Sequence, residues 1–86
     1  MYIVELAFSD DPDRLRARAA HRELLAELHR TGKVVMAGPF ADDTGALLVL
    51  DVADEDEVSS ILAADPYYEH PAVTVVRRLE WSPILR

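Results

Sequence analysis

Residues 33–52 read KVVMAGPFADDTGALLVLDV, and the fold follows from how this stretch divides. Lys33 to Phe40 is apolar and β-prone, so it reads as a strand, broken near its end by Gly38-Pro39. Asp42-Asp43-Thr44-Gly45 has turn composition, and Ala46 to Val52 forms another apolar strand. Upstream, Leu15, Ala17, Ala20, Leu24, Leu25 and Leu28 recur at helical spacing, which predicts a helix from about residue 12 to 31. Asp11 suits its N-cap, Pro12 its first position and Gly32 its end, where positive φ is needed. Downstream, Asp54 with Glu57 three residues later opens a short helix ending near Ala64. Residues 65–71, DPYYEHP, read as a structured loop. The outermost apolar runs, YIVELAF at 2–8 and AVTVVRRLEW at 72–81, are the first and last strands.

The element order is βαβ followed by βαβ, in halves of nearly equal length. Two such units interleaved make an α+β ferredoxin-like βαββαβ sandwich, a four-stranded antiparallel sheet with two helices on one face. Residues 1–86 are enough for one domain and too few for two, and no linker or low-complexity tract divides them. Two helices cover only one face of a sheet, so strands facing water on the other should alternate with polar residues. These largely do not. Strand one sets Tyr2, Val4, Leu6 and Phe8 against Ile3 and Ala7, and strand three sets Leu48, Leu50 and Val52 against Leu47 and Val49. In strand four, Val73, Val75, Leu79 and Trp81 oppose Thr74 and Val76. A face that apolar calls for a cover. Either an identical subunit packs sheet to sheet, giving a homodimer of the dimeric α+β barrel type, or the tail SPILR folds back. Five residues are too few to cover four strands.

Composition narrows the function. Half the residues are hydrophobic, which permits a packed core. There are no cysteines, so disulfides, thiolate catalysis and Cys-based metal sites are excluded. Sixteen acids against nine bases give a net charge of −7, which argues against nucleic acid and anionic membranes as partners. No apolar run approaches the roughly 20 residues of a membrane span. The opening MYIVELAF lacks the basic region of a secretory signal, so the expected setting is cytoplasmic.

Few residues could carry chemistry. His21 sits at the centre of the helical stripe formed by Ala17, Leu24, Leu25 and Leu28, so its imidazole points toward the sheet. It is either a neutral core histidine bonded to a backbone carbonyl or a working group in a pocket. His29 and His70 are weaker candidates, and the three histidines lack metal-ligand spacing, so no metal is expected. Asp65-Pro66-Tyr67-Tyr68 is either ordinary turn chemistry, as Asp11-Pro12 is, or a pocket wall carrying two tyrosines. Gly38-Pro39 either relieves strand curvature or lets a backbone approach a ligand beside His21. Arg14 and Arg18 lie on the flank of His21. They either face solvent with Asp10, Asp11 or Asp13, or hold an anionic substrate. Phosphate loops, dinucleotide fingerprints and nucleophile elbows are absent, so no cofactor is expected.

Taken together, the opening strand, His21 in the first helix, Gly32-Lys33-Val34-Val35-Met36-Ala37-Gly38-Pro39-Phe40 and Asp65-Pro66-Tyr67 resemble the YciI-like (YCII-related) family. Gly45 and Trp81 fit as well, and the resemblance covers nearly the whole chain. It implies a dimeric ferredoxin-like fold and an enzyme with a histidine–aspartate pair in a cleft, which His21 and Asp65 match. One member type is associated with dehydrochlorination of a chlorinated hydroquinone. Wider relatives include muconolactone isomerases, monooxygenases and ligand-sensing domains. Family members often carry a serine shortly before the histidine, where this chain has Ala19 and Ala20.

The resulting expectation is a homodimeric small-molecule enzyme with a His21/Asp65 proton-transfer pair. Its reaction would be of lyase, dehalogenating-elimination or isomerase type, on a small cyclic or phenolic metabolite. Arg14, Arg18, Gly38, Pro39 and Tyr67 are the substrate-binding candidates. The rivals are a non-catalytic module that binds or senses a small ligand, and a scaffold for a larger assembly.

Overall fold

The computed structural model describes residues 1–86. Its elements are β1 (Tyr2–Phe8), α1 (Pro12–Arg30), β2 (Val34–Pro39), β3 (Gly45–Leu50), α2 (Glu55–Ala63), a 3₁₀ turn (Pro66–Glu69) and β4 (Val73–Glu80). The four strands form one antiparallel sheet in the order β2-β3-β1-β4, the ferredoxin-like arrangement expected from the element order. The caps work as the sequence predicts. Asp11 accepts from the Asp13 amide at 2.9 Å, Pro12 opens α1, and Gly32 follows it at φ +87°. Asp54 accepts from the Glu57 amide at 2.9 Å, while Glu57 accepts in return from the Ala53 amide, one residue further out than in a strict capping box.

The core lies between the sheet and the two helices. Val4, Leu6, Leu48, Leu50 and Val58 are its largest fully buried side chains. At Gly45 the backbone of β1 leaves no room for a side chain on β3. A Cβ there would stand 2.0 Å from the Leu6 carbonyl oxygen, so no side chain fits without moving the strand. The buried stripe of α1 is narrower than the spacing implied. Ala17, Leu25 and Leu28 pack against the core, whereas Leu15, Ala20 and Leu24 are exposed, because the helix turns its Arg14 and His21 edge inward.

Two β-bulges shift the expected strand faces. β4 carries an extra residue, Val76, between the Glu5–Arg77 and Leu6–Val75 pairs. Val73 and Val75 therefore face the core with Leu6 and Phe8, but Leu79 pairs with Ile3 on the opposite face, not with Val75 as simple alternation had it. The second bulge lies at Val35 in β2, three residues before Gly38-Pro39. The strand runs unbroken through that pair, with Gly38 opposite Leu47 and Pro39 opposite Ala46. Proline is tolerated there because β2 is an edge strand and needs no outward N–H partner. The open face carries Ile3, Met36, Leu47, Val49 and Leu79 around a Glu5–Arg77 ion pair at 3.1 Å. The tail does not cover it: Ile84 and Leu85 are 95% and 85% exposed. No helix is long and apolar enough to cross a membrane.

Candidate functional site

Helix α1 brings His21 over the sheet, and the 3₁₀ turn after α2 brings Asp65 to meet it. The His21 Nδ1 lies 2.6 Å from Asp65 Oδ2, and the residues are 7% and 6% exposed. The bond joins residues 44 positions apart, and it replaces the backbone carbonyl that a purely structural histidine would use. The other oxygen, Oδ1, accepts from the Tyr67 amide at 3.0 Å and caps the turn. Both carboxylate oxygens are thus committed, and the Asp65 rotamer is fixed from two sides. An ionised carboxylate on Nδ1 requires hydrogen there, which leaves the lone pair of a neutral ring on Nε2.

The tyrosines that follow hold the imidazole in place. The Tyr67 ring stacks on it with centroids 4.0 Å apart and planes 11° from parallel, and Tyr68 meets its edge at 5.3 Å. Both phenols are buried, but they are satisfied differently. The Tyr67 hydroxyl accepts from Arg14 Nη1 at 3.1 Å, whereas the Tyr68 hydroxyl has no partner. Burial pushes the Tyr68 phenol far above its ordinary range, and the nearby Asp65 charge pushes it further.

Arg14 neither faces solvent nor pairs with Asp10, Asp11 or Asp13. Its guanidinium is buried over the Phe8 ring, 4.0 Å from the centroid, with Nη2 3.5 Å from Asp43. Asp43 reaches it from the β2–β3 turn, where it takes φ +60°. Of the three acids considered for it, Asp13 pairs with Arg16 instead.

A cavity of about 520 Å³ opens between α1 and β2, within the usual range for small-molecule sites. His21, Arg14, Arg18, Gly38, Pro39 and Tyr67 all line it. Asp65 does not; it stands behind His21, on the wall of a second hollow between the helices. Gly38 lines the cavity through its backbone, since a side chain there would stand beside Leu47 on the open face of the sheet, where a Cβ meets nothing within 4 Å. His29, a weaker candidate from the sequence, also lines the cavity, as do Arg22, Asp43 and Phe8, which the motifs did not single out. For Arg22 and His29 a signal existed: with Arg18 they follow helical spacing of four and eleven residues. Ala19 and Ala20 are both exposed, and neither lines the cavity. No cluster of three His, Cys, Asp or Glu side chains could hold a metal ion.

Comparison with known proteins agrees with this architecture. The family model of the YCII-related domain matches residues 1–82. No curated protein sequence matches the chain significantly. Among solved structures, the chain is similar to a 5-chloro-2-hydroxyhydroquinone dehydrochlorinase, TftG, from Burkholderia phenoliruptrix AC1100, in complex with 2,5-dihydroxybenzoquinone. The TM-score is 0.75 at 23% identity, over 95% of this chain and 94% of the other, a likeness of fold.

Proposed function

This chain belongs to the YCII-related domain family, and from that premise we propose that it is a cytoplasmic, single-domain enzyme using His21 to move a proton on a small cyclic or phenolic metabolite. The observation that carries the reading is the buried 2.6 Å bond between His21 Nδ1 and Asp65, with the ring itself on the wall of the cavity. Nε2 takes a proton from a carbon next to a carbonyl, or from a phenolic hydroxyl. In an elimination the halide sits on a saturated ring carbon, as in the keto tautomer of a phenol: the electron pair left behind forms a new π bond in the ring while the carbon–halide bond breaks and the halide leaves with its electrons. In an isomerisation the pair is reprotonated at another carbon. Asp65 acts through the histidine. It fixes the tautomer and offsets the charge the ring acquires on protonation. Arg18, Gly38, Pro39 and Tyr67 face the substrate, while Arg14 holds Tyr67 against the imidazole from behind.

The enzyme works as a homodimer in this reading. The open face of the sheet is apolar, its Met36 is 63% exposed and its Leu79 44%, and the tail stands clear of it. A second copy covers such a face at little cost in new structure. Light scattering at micromolar concentration checks this directly, and a folded monomer would remove it.

The dehydrochlorinase fold neighbour suggests the first substrate to try. Purified protein is incubated with 5-chloro-2-hydroxyhydroquinone, chloride release is measured, and binding of 2,5-dihydroxybenzoquinone is followed by thermal shift. Enzyme-dependent chloride release that disappears in His21→Asn supports the proposal. Release that persists in that variant defeats the role of His21. Tight binding of the quinone with no turnover of this or related ring substrates favours the ligand-binding rival instead.

A further inference from the structure

The charge on the cavity wall runs opposite to the charge of the protein. The chain has sixteen acids and nine lysines and arginines. Three of those bases, Arg14, Arg18 and Arg22, line this one cavity, and Asp43 is the single acid among its residues. Asp43 is already 3.5 Å from Arg14. Arg18 and Arg22 are left without an ion pair or side-chain hydrogen bond, although Arg16 and Arg30 on the same helix both find carboxylates. The two stand one helical turn apart, at i and i+4, on either side of His21 in the sequence. That spacing puts side-chain origins about 5–6 Å from each other, so both guanidiniums can converge on one small anion.

We propose that Arg18 and Arg22 form an anion subsite, and that the ligand of the cavity is a planar ring carrying a carboxylate or similar acidic group separate from the atom that exchanges a proton with His21. The inference rests on the cavity being the substrate site, as proposed above, and adds what the substrate must carry. A neutral ring would leave two unpaired cations beside an apolar wall built by Val35, Ala37 and Pro39. An anionic ring satisfies both surfaces at once. Arg18 is half-buried and Arg22 exposed at the cavity mouth, and the field of these two unpaired guanidiniums draws an anion toward a protein that elsewhere repels it. His29, further along the same stripe, adds charge when protonated.

The test compares two ligands that differ by one group, 2,5-dihydroxybenzoate and hydroquinone, by calorimetry on the intact protein. Wild type binds the carboxylated ring at least tenfold more tightly, the effect expected of a charge-assisted bidentate contact. The preference shrinks as salt is raised. The Arg18→Gln/Arg22→Gln double variant loses it. These side chains have no partners in the fold, so the variant keeps the wild-type circular dichroism spectrum and melting temperature, and its binding can be read directly. Equal affinity for the two rings in wild type overturns the inference, and so does a preference that survives in the double variant. His21→Asn separates this from the reading of the reaction. It retains the preference if the anion subsite exists, whether or not chloride release depends on His21.

Discussion

Asp11 and Asp65 each precede a proline, and each caps a helical turn with one carboxylate oxygen on the amide two residues ahead, at 2.9 and 3.0 Å. Their backbones are both extended, and their dipeptides are identical. The difference lies in the second oxygen. That of Asp11 makes no further bond, whereas that of Asp65 accepts from His21 in a buried setting. One sequence motif thus does the same local work twice, and only where the chain folds a histidine against it does it acquire a second use. Asp54 caps α2 without a proline after it, through the amide three residues ahead, and stays purely local.

Exchanging each aspartate for asparagine should separate the two uses most widely. Asparagine still caps well, so neither fold is lost. At position 65, however, an amide NH₂ would face Nδ1, favour the opposite tautomer and leave Nε2 carrying the hydrogen. Turnover in Asp65→Asn should therefore fall by about 10²–10⁴, the usual weight of a positioned general base, while Asp11→Asn matches wild type in the same assay. Equal rates in the two variants would end the distinction.

Alanine at each position sharpens the comparison as stability. Asp11→Ala removes a cap and should cost about 1 kcal/mol in urea unfolding. Asp65→Ala removes a cap and also leaves a buried imidazole N–H unpaired, so about 2–4 kcal/mol is expected. The adjacent tyrosines repeat the contrast at smaller scale. Tyr67→Phe takes one acceptor from a buried guanidinium, leaving it Asp43 alone, and should cost about 1–2 kcal/mol. Tyr68→Phe deletes a hydroxyl that has no partner and should be neutral or slightly stabilising by the same measurement. A larger loss at Tyr68 than at Tyr67 would reverse their assigned roles.

The smallest effect belongs to the third cap. The Lys33 ammonium, at 2.7 Å, and then the Ala53 amide hold the Glu57 carboxyl below its ordinary range. A carboxyl lowered in the folded state contributes stability that is present above the ordinary glutamate range and is lost as pH falls through the folded value. A carbon-13 titration of Glu57 should show a midpoint below that of a free glutamate, and Lys33→Met should move it back upward. An unchanged midpoint in that variant would leave Lys33 without the role.

The periodicity of residues 12–31 marked His21 as inward-facing before any contact was known, and the order of apolar runs specified the sheet. Both are local patterns repeated along one element, which is why they can be read without a structure. The two strand bulges were not legible, because an extra residue such as Val76 is defined only against the partner strand. The partners of Arg14 were not legible for a related reason. The acids next to it in sequence lie on the wrong side of the helix, while its partners, Asp43 and Tyr67, come from a turn 29 residues on and a 3₁₀ turn 53 residues on. Arg22 and His29 were visible as a helical stripe, but nothing in the sequence says that the stripe faces a cavity.

By itself, then, the sequence determined the element order, the caps, the absence of thiol chemistry and the acidic surface, since each depends on residue type and near-neighbour spacing. The tertiary structure decided which of two identical Asp-Pro pairs meets a histidine, which arginines are consumed by the fold and which remain free, and which face of each strand is covered. Those outcomes depend on distances between residues far apart in the chain, and chain topology with side-chain packing sets such distances where local propensity cannot.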